Sequence, residues 1–518
     1  MREINILWAD DEIDLLKPHI IFLEQKGYTV LPVNNGREAI ERVNNQKFDI
    51  IFLDEQMPGI TGLDTLLKIK EIRPEIPVVM ITKSEEENIM EAAIGSKISD
   101  YLIKPVNPNQ IILSIKKNLE KNELVTQKTS SVYRSEFNNL GELINQATSY
   151  QDWIDVYKKL VYWELELGSI TDEAMKEIVK MQKNEANSEF CKFIRKNYEQ
   201  WFQEKNNNSK PEFITNVVKN TVLPLLNQNK KVLLLVIDNL RWDQWMAVKP
   251  TIQNHFSVKQ EDAIFSILPT TTQYARNALF AGLMPYAIES LFPDLWKYDE
   301  DEGLKNKYEK DMLAIQLKRL GFTDSFIFEK VVAVSYAKGL PDKVQSIRNS
   351  KLSVIVYNYV DTLSHASTDS DLIKELAADE AAYRSLTVSW FNHSPIFEVL
   401  KAIADQDITV VLTTDHGSIQ VQNPVKVIGD KTITTNLRYK HGKKLDYNSK
   451  QVYEIKSPKN VQLPASHLSS TYIFAQNNDY FVYPNNYNEF VKYYKDTFQH
   501  GGISLEEMII PKIVLGKK

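Results

Sequence analysis

The sequence predicts a three-part α/β chain: a parallel, doubly wound domain over residues 1–120, a helical bundle connector over 121–210, and a second α/β domain over 211–518. Three observations predict it. Short apolar runs alternate with helix-period segments through the first 120 residues, the pattern of successive βα units. Between about 120 and 225 strand-like runs vanish, and Leu140, Ile144, Trp153, Val156, Tyr157, Leu160 and Val161 recur near helical spacing among many Glu and Lys. From about 230 strand-like runs return. At 518 residues the chain is also too long for one domain of the usual ~100–200 residues.

The elements follow in order. Ile4–Ala9 reads as a strand, Ile13–Lys26 as a helix, and Thr29–Val33 as a second strand beyond the stop signal Gly27. The helix-like Arg37–Asn44 precedes the buried-strand run Phe48–Leu53. Next come helical Leu63–Glu71, strand Pro77–Thr82, helix Glu85–Ala93, strand Asp100–Ile103 and helix Asn107–Asn118. The polar run Glu204–Lys210 bounds the helical middle. In the last part Val232–Ile237, Ser353–Val360 and Thr409–Leu412 are strand-like.

Composition narrows the function classes. The chain is 43% hydrophobic and 25% charged, ordinary for a folded protein and unlike a disordered one. A net charge of −6 gives no global basic field for nucleic acid or anionic membrane. The single cysteine, Cys191, excludes an intramolecular disulfide framework and reads as a small buried hydrophobe. The amino-terminal MREINILWADDE meets acids before any long apolar region, unlike a signal peptide. The longest apolar runs fall far short of the ~20 residues a membrane helix needs. A cytoplasmic chain with no membrane insertion is expected.

Chemistry-bearing residues of the first part collect at strand ends. Asp10 and Asp11 follow the first strand, Asp54 the third; Thr82 ends the fourth, and Lys104-Pro105 the fifth. In a 2-1-3-4-5 parallel sheet these ends converge on one crevice. Clustered carboxylates suit a hard octahedral cation such as Mg²⁺. Beside it Asp54 can attack a phosphoryl donor, while the Thr82 hydroxyl and Lys104 ammonium take the charge of the transferred oxygens. Any one of these acids could decorate a loop tip; five such residues at matched strand ends could not by chance. The set resembles the response-regulator receiver family, which is flavodoxin-like in fold. That resemblance implies Asp54 as phosphoacceptor, Asp10, Asp11 and Asp54 as the magnesium site, Thr82 and Lys104 as the switch pair, and Tyr101 as the rotating aromatic. Lys83 stands where the family prefers a small residue, which implies altered phosphate access or dephosphorylation rate.

A second set lies in the last part. Asp238 ends one strand, Asp361 another, and His365 follows four residues later; Asp415-His416-Gly417 follows a third, and His500-Gly501-Gly502 comes near the end. Three Asp and three His offer three ligands to each of two ions, a mixture favouring Zn²⁺, with Mn²⁺ compatible. Two such ions ~3.5–4 Å apart can clamp the oxygens of a phosphoryl transfer. Thr270-Thr271-Thr272 precede a helix-like segment, and metal coordination at a helix amino terminus would activate a hydroxyl there. The ordered pattern is similar to the alkaline phosphatase superfamily, and Pro269–Arg276 with His500–Glu507 resembles its PglZ branch over roughly residues 210–518. The resemblance implies one ion on Asp361, His365 and His500, and the other on Asp238, Asp415, His416 and the nucleophile. Thr271 and Thr272 both stand as nucleophile candidates: the distance to the Gly282–Pro285 turn resembles that of nucleotide phosphodiesterase relatives if Thr272 is used, and a one-residue indel reverses the choice. Arg276, Arg438 and Lys440 are candidates to meet substrate phosphate. His19, His255, His393, His441 and His467 lack a strand-end acid partner and read as surface or core histidines.

A receiver, a helical connector and a PglZ-type domain in this order resemble the PorX-type response regulators of type IX protein secretion. The resemblance implies a sensor histidine kinase, an extracytoplasmic-function sigma factor as partner, and a phosphorylation-dependent homodimer. The leading reading is a phosphorylation-controlled metallophosphodiesterase or phosphatase acting on a small phosphodiester or a linear or cyclic oligonucleotide. The alternative is a non-catalytic regulator with structural zinc, against which the retained threonines argue. A DNA-binding effector is disfavoured by net acidity and by the lack of a recognition-helix cluster of Arg, Gln and Asn.

Overall fold

The computed structural model describes residues 4–83, 98–168, 172–203, 210–297, 306–332, 334–429, 435–465, 467 and 469–518. The chain forms two compact units, Met1–Val132 and Tyr133–Lys518.

In the first unit, β1 (Ile4–Ala9), β2 (Tyr28–Val33), β3 (Ile50–Asp54), β4 (Val78–Thr82) and β5 (Asp100–Ile103) form one sheet of order β2-β1-β3-β4-β5, every pairing parallel. β3 and β4 are buried at every position, as a strand covered on both faces requires. Helices α1 (Lys17–Gln25), α2 (Gly36–Asn45) and α3 (Gly62–Ile72) cover it. Asn35 caps α2 by accepting from the Glu38 N–H at 2.8 Å, and Thr61 caps α3 by accepting from Asp64 N–H at 3.1 Å. The helix expected at Glu85–Ala93 lies outside the described residues. The helix expected at Asn107–Asn118 is longer: α4 runs Pro108–Gln146. No Gly or Pro stands between Pro108 and Gly141, so nothing in the backbone stops it.

In the second unit, β6 (Lys231–Ile237), β7 (Phe256–Phe265), β8 (Phe326–Val331), β9 (Leu352–Tyr357), β10 (Ile408–Thr413) and β11 (Ile509–Lys517) form a six-stranded sheet of order β7-β11-β10-β6-β9-β8. β10, β6, β9 and β8 run parallel to one another, and β11 runs antiparallel to both its neighbours, β10 and β7. One expected boundary moves. The strand drawn as Ser353–Val360 ends at Tyr357, and a helix begins at Tyr359. Tyr359 and Val360 favour strands, yet the Asn358 carbonyl accepts the Thr362 N–H at 3.0 Å and closes a helical turn.

The helical middle has no core of its own. α5 (Tyr150–Gly168) and α6 (Glu173–Asn197) share one hydrophobic core with the sheet. Phe190 meets Trp153 at 5.5 Å and Phe265 of β7 at 6.1 Å, and Trp201 meets Phe265 at 5.9 Å. Each such buried ring contributes roughly 1.5–3 kcal/mol over leaving it in water. Charges cross the same junction. Lys183 reaches Glu164 at 2.9 Å and Glu506 at 3.1 Å, while Arg384 bonds Glu164 and Asp243, and Arg241 bonds Asp243 and Glu380.

Candidate active site

The receiver residues converge as parallel strand ends require. Asp10 and Asp54 are buried, and Lys104 Nζ lies 2.9 Å from Asp10 and 3.0 Å from Asp54. One oxygen from each of Asp10, Asp11 and Asp54 falls within a single 4.8 Å group, so these three could hold a cation. Burial raises the Asp54 carboxyl to about 6, with Lys104 pulling it back down; burial works against the Lys104 ammonium too, but Asp10 and Asp54 raise it overall. Thr82 donates to Glu55 at 3.1 Å. Tyr101 is 40% exposed. A Cβ on Gly62 would lie 2.2 Å from the Asp54 carbonyl oxygen, so α3 reaches Asp54 only because residue 62 is glycine.

The second site forms where the carboxyl ends of β6 and β10 meet two helices, α7 (Thr272–Ala281) and α8 (Tyr359–Asp369). Asp238 ends β6. Asp361 sits in the first turn of α8 rather than at a strand end, and His365 lies one turn further on the same face. Asp361 Oδ1 is 3.4 Å from His500 Nε2, and its Oδ2 is 3.6 Å from His365 Nε2. In the other triad, His416 Nε2 lies 3.7 Å from Asp238 Oδ1 and 3.8 Å from Asp415 Oδ2. The rings of His416 and His500 stack at 4.3 Å, so the triads are immediate neighbours.

Whether these residues fit metal ions is answered by their free atoms. His416 Nδ1 faces the Gly417 carbonyl at 3.1 Å and His500 Nδ1 the Thr270 carbonyl at 3.2 Å, which leaves each Nε2 for a cation. Asp415 Oδ1 accepts from the Asn239 and His416 N–H groups at 3.3 and 3.2 Å. Its Oδ2, like Asp361 Oδ1, is buried without a hydrogen-bond partner. Buried carboxylate oxygens that lack a hydrogen bond could each face a cation. Each triad brings its ligand atoms within 4.8 Å. The residues present fit two ions.

Electrostatics agree. Burial drives His416 down to about 4, so at neutral pH it is the neutral imidazole a metal requires. Burial would raise Asp361, but His500 and the other imidazoles hold it well below the usual carboxylate range. Burial, with Asp415 beside it, pushes Asp238 up. A fourth acidic group, Glu164, Asp243 and Glu380, is already filled by Arg241, Arg384 and Lys183 and is an ion-pair cluster.

The threonines separate. Thr272 Oγ1 lies 3.1 Å from His416 Nε2 and 3.4 Å from Asp238 Oδ1, at the first position of α7. Thr271 is the residue before that helix, and its hydroxyl is buried without a partner. The third, Thr270, donates to the Gly502 carbonyl at 2.9 Å and accepts from the Gly501 N–H at 3.0 Å, binding the threonine loop to the segment of His500.

The expected phosphate contacts are placed differently. Arg276 is buried, with Nε on Glu309 at 2.6 Å and NH1 on Asp238 at 2.5 Å and Asn358 at 3.2 Å; these pairs hold it inside the protein. Arg438 is buried in a two-pronged bond to Glu507 at 3.2 and 2.6 Å. Lys440 is buried, its ammonium 5.3 Å from the Tyr483 ring. Sequence reasoning also missed the clamps around the ligands. Glu507 accepts from the Gly502 N–H at 2.8 Å, and Asn187 of α6 donates to Glu506 at 3.1 Å. A Cβ on Gly417 would meet the Glu506 carbonyl oxygen at 2.1 Å, so the His416 loop and this segment pack backbone to backbone. Two adjacent acids inside the apolar run Ile503–Ile510 were the available signal, since buried carboxylates demand partners.

Residues 217–515 match the BREX system PglZ alkaline phosphatase-like domain, and the chain belongs to that family. Residues 6–116 match the response regulator receiver domain and residues 123–202 the PorX response regulator linker domain, so this is a two-component response regulator with the order of a PorX-type receiver–PglZ fusion. Among curated proteins it is similar to the transcriptional regulatory protein ZraR of Escherichia coli K12, 32% identical over 139 residues. It is also similar to the transcriptional regulatory protein ResD of Bacillus subtilis, 31% identical over 120 residues. These matches cover 27% and 23% of this chain, and only 32% and 50% of those proteins. Among solved structures, a CheY-like receiver domain from Methanospirillum hungatei JF-1 is 26% identical, covering 23% of this chain and 96% of its own at a TM-score of 0.23. A two-component response regulator from Clostridium difficile is 30% identical, covering 23% and 97% at 0.22. No helix among the described residues is long and apolar enough to cross a membrane.

Proposed function

We propose that the chain is a zinc-dependent phosphodiesterase of the alkaline phosphatase type whose activity is set by phosphorylation of Asp54. The observation that carries the reading is Thr272: a hydroxyl at a helix amino terminus, 3.1 Å from His416 Nε2 and 3.4 Å from Asp238 Oδ1, beside two triads that fit metal ions. A purely structural metal pair needs no such hydroxyl.

Asp361, His365 and His500 would hold one Zn²⁺, and Asp238, Asp415 and His416 the other, with Mn²⁺ compatible. Bound there, the ions supply positive charge to the phosphate oxygens and lower the cost of deprotonating a hydroxyl. The remaining work belongs to this chain. Thr272 Oγ1 forms a bond to phosphorus as its proton passes to solvent, the leaving-group P–O bond breaks with that oxygen taking a proton from water, and a second water then attacks phosphorus, breaks the Thr272 Oγ1–P bond and restores the hydroxyl. The α7 amino terminus faces the developing charge. Arg276 acts through Asp238 and Glu309 by fixing the carboxylate beside the nucleophile. Thr271, with no acid or imidazole in reach, supports the loop.

A diester, a linear or cyclic oligonucleotide, is the substrate we favour, since Thr-nucleophile relatives of this superfamily often cleave diesters. A sensor histidine kinase supplies the phosphoryl group, Mg²⁺ sits on Asp10, Asp11 and Asp54, and Thr82, Lys104 and Tyr101 pass the change to a homodimer face in a cytoplasmic protein. The PorX-type order supports a role in type IX secretion, with an extracytoplasmic-function sigma factor as partner. Hydrolysis of an aryl phosphodiester and of cyclic dinucleotides by the zinc-loaded chain tests this. Turnover that survives Thr271→Val/Thr272→Val unchanged, or is absent from the parent, refutes it.

A further inference from the structure

The helix Tyr487–Tyr494, labelled α9, has no part in the site so far. None of its residues is buried, although four of its positions are Tyr487, Phe490, Tyr493 and Tyr494; Phe490 is 36% and Tyr493 44% exposed. Tyr487, Val491 and Tyr494 pack against the small core of Ile419, Val421, Tyr480 and Val482, so Phe490 and Tyr493 are the rings that face solvent, and adjacent exposed apolar groups can mark a binding surface.

Two connections fix this helix beside the metal ligands. Tyr493 donates its hydroxyl to Asp369 at 3.1 Å, and Asp369 lies one turn beyond His365 and two beyond Asp361 on the same face of α8. Downstream, the chain passes from α9 into Gln499, whose amide donates to Thr368 of α8 at 2.9 Å, and then directly into His500. Lys374 secures the last turn of α9 by donating to the carbonyls of Lys492 and Tyr493 at 3.4 and 3.0 Å. The His365 side chain is 61% exposed, so the centre opens to solvent on the face of α8 that Asp369 shares.

The charges of α9 and its flank balance: Lys492 and Lys495 stand against Glu489 and Asp496. This surface is therefore no trap for phosphate. What it offers is rings, with Phe490 and Tyr494 inclined by only 15° at 6.1 Å and Tyr493 edge-on to Tyr494 at 4.9 Å. A ligand matching both features carries a phosphodiester for the metal centre and flat aromatic groups next to it. We propose that α9 is a stacking platform, with Phe490 and Tyr493 as its faces, that seats a nucleobase flanking the scissile phosphodiester of a single-stranded oligonucleotide. The proposal rests on the phosphodiesterase reading above.

The test compares, in the zinc-loaded full chain, a dinucleotide containing 2-aminopurine with methyl p-nitrophenyl phosphate, a diester without a base. In Phe490→Ala/Tyr493→Ala, kcat/KM for the dinucleotide should fall at least about tenfold further than for the aryl diester, because base–aromatic stacking is worth roughly that per base. The 2-aminopurine quenching seen when the dinucleotide binds the inert Thr272→Val chain should be lost on adding the two substitutions. Tyr493→Phe, which keeps the ring and drops the bond to Asp369, should retain both signals, and Phe490→Ala alone should move them in the same direction as the double variant. Equal falls for the two substrates, or quenching that survives loss of both rings, overturn the platform. If the parent cleaves neither diester, the phosphodiesterase reading fails, and quenching with the Thr272→Val chain still decides the platform.

Discussion

Replacing Lys183 with Met keeps the length of the side chain and removes one buried charge. Lys183 is 9% exposed and bridges Glu164 at 2.9 Å and Glu506 at 3.1 Å. Glu164 keeps Arg384; Glu506, 1% exposed, keeps only the Asn187 amide. Removing one partner of a buried pair costs about 3–5 kcal/mol because the other charge stays behind. Lys183→Met should therefore destabilise the Tyr133–Lys518 unit by about that much, read by urea unfolding with tryptophan fluorescence, since all tryptophans but Trp8 lie there. Adding Glu506→Gln discharges the stranded carboxylate and should return at least about 1 kcal/mol, a coupling that independent sites would not show. The Glu506–Glu507 segment also packs on the His416 loop, so zinc affinity should fall about tenfold in Lys183→Met, as for other partners behind metal ligands. A loss below about 1 kcal/mol, or no recovery with Glu506→Gln, would show that the charges do not hold the connector helices to the metal-binding segment.

Four further outcomes are expected. Thr272→Val should lower diester hydrolysis by roughly three orders of magnitude or more while Thr271→Val keeps most of it; steady-state rates decide, and the reverse order would move the nucleophile. Asp54→Ala should keep the fold and its zinc but lose any change of oligomeric state on adding acetyl phosphate or beryllofluoride, read by light scattering; an unchanged response would remove Asp54 from the switch. Chelation should abolish turnover and lower the thermal midpoint of the second unit, with Zn²⁺ restoring both, because an ion that binds only the folded state stabilises it. Glu164 is held down at about 2 against an ordinary 4.5, since Lys183 and Arg384 outweigh its burial. A depressed carboxylate adds stability above its unfolded value and loses it as pH falls, so about 3 kcal/mol should disappear between about pH 5 and pH 2; a Glu164→Gln chain with the same acid limb would contradict this.

The receiver was legible almost residue by residue, because a parallel sheet puts its chemistry at strand ends and strand ends show as acids after apolar runs. The convergence of the two Asp/His triads was legible for the same reason, with one displacement: Tyr359 and Val360 prolong an apolar strand pattern, and only the turn closed on Asn358 reveals that Asp361 rides a helix. The different surroundings of Thr271 and Thr272 were illegible, because adjacent hydroxyls differ only in direction, which the start of α7 fixes. The burial and pairing of Arg276 and Arg438 were illegible, because a sequence shows that an arginine is near an acid-rich pattern but not what surrounds it. That the connector helices share a core with the sheet was illegible for a similar reason: an amphipathic helix announces that it covers something, never what.

The common core of the connector helices and the phosphatase-like sheet has a practical and an evolutionary consequence. A fragment starting at residue 211 would carry Phe213 and Phe265 with Phe190 and Trp201 taken off them, a bare greasy flank prone to clumping. Gene fusions that swap sensory inputs must therefore cut upstream, near Val132, and inherit connector helices and phosphatase-like sheet as one cassette.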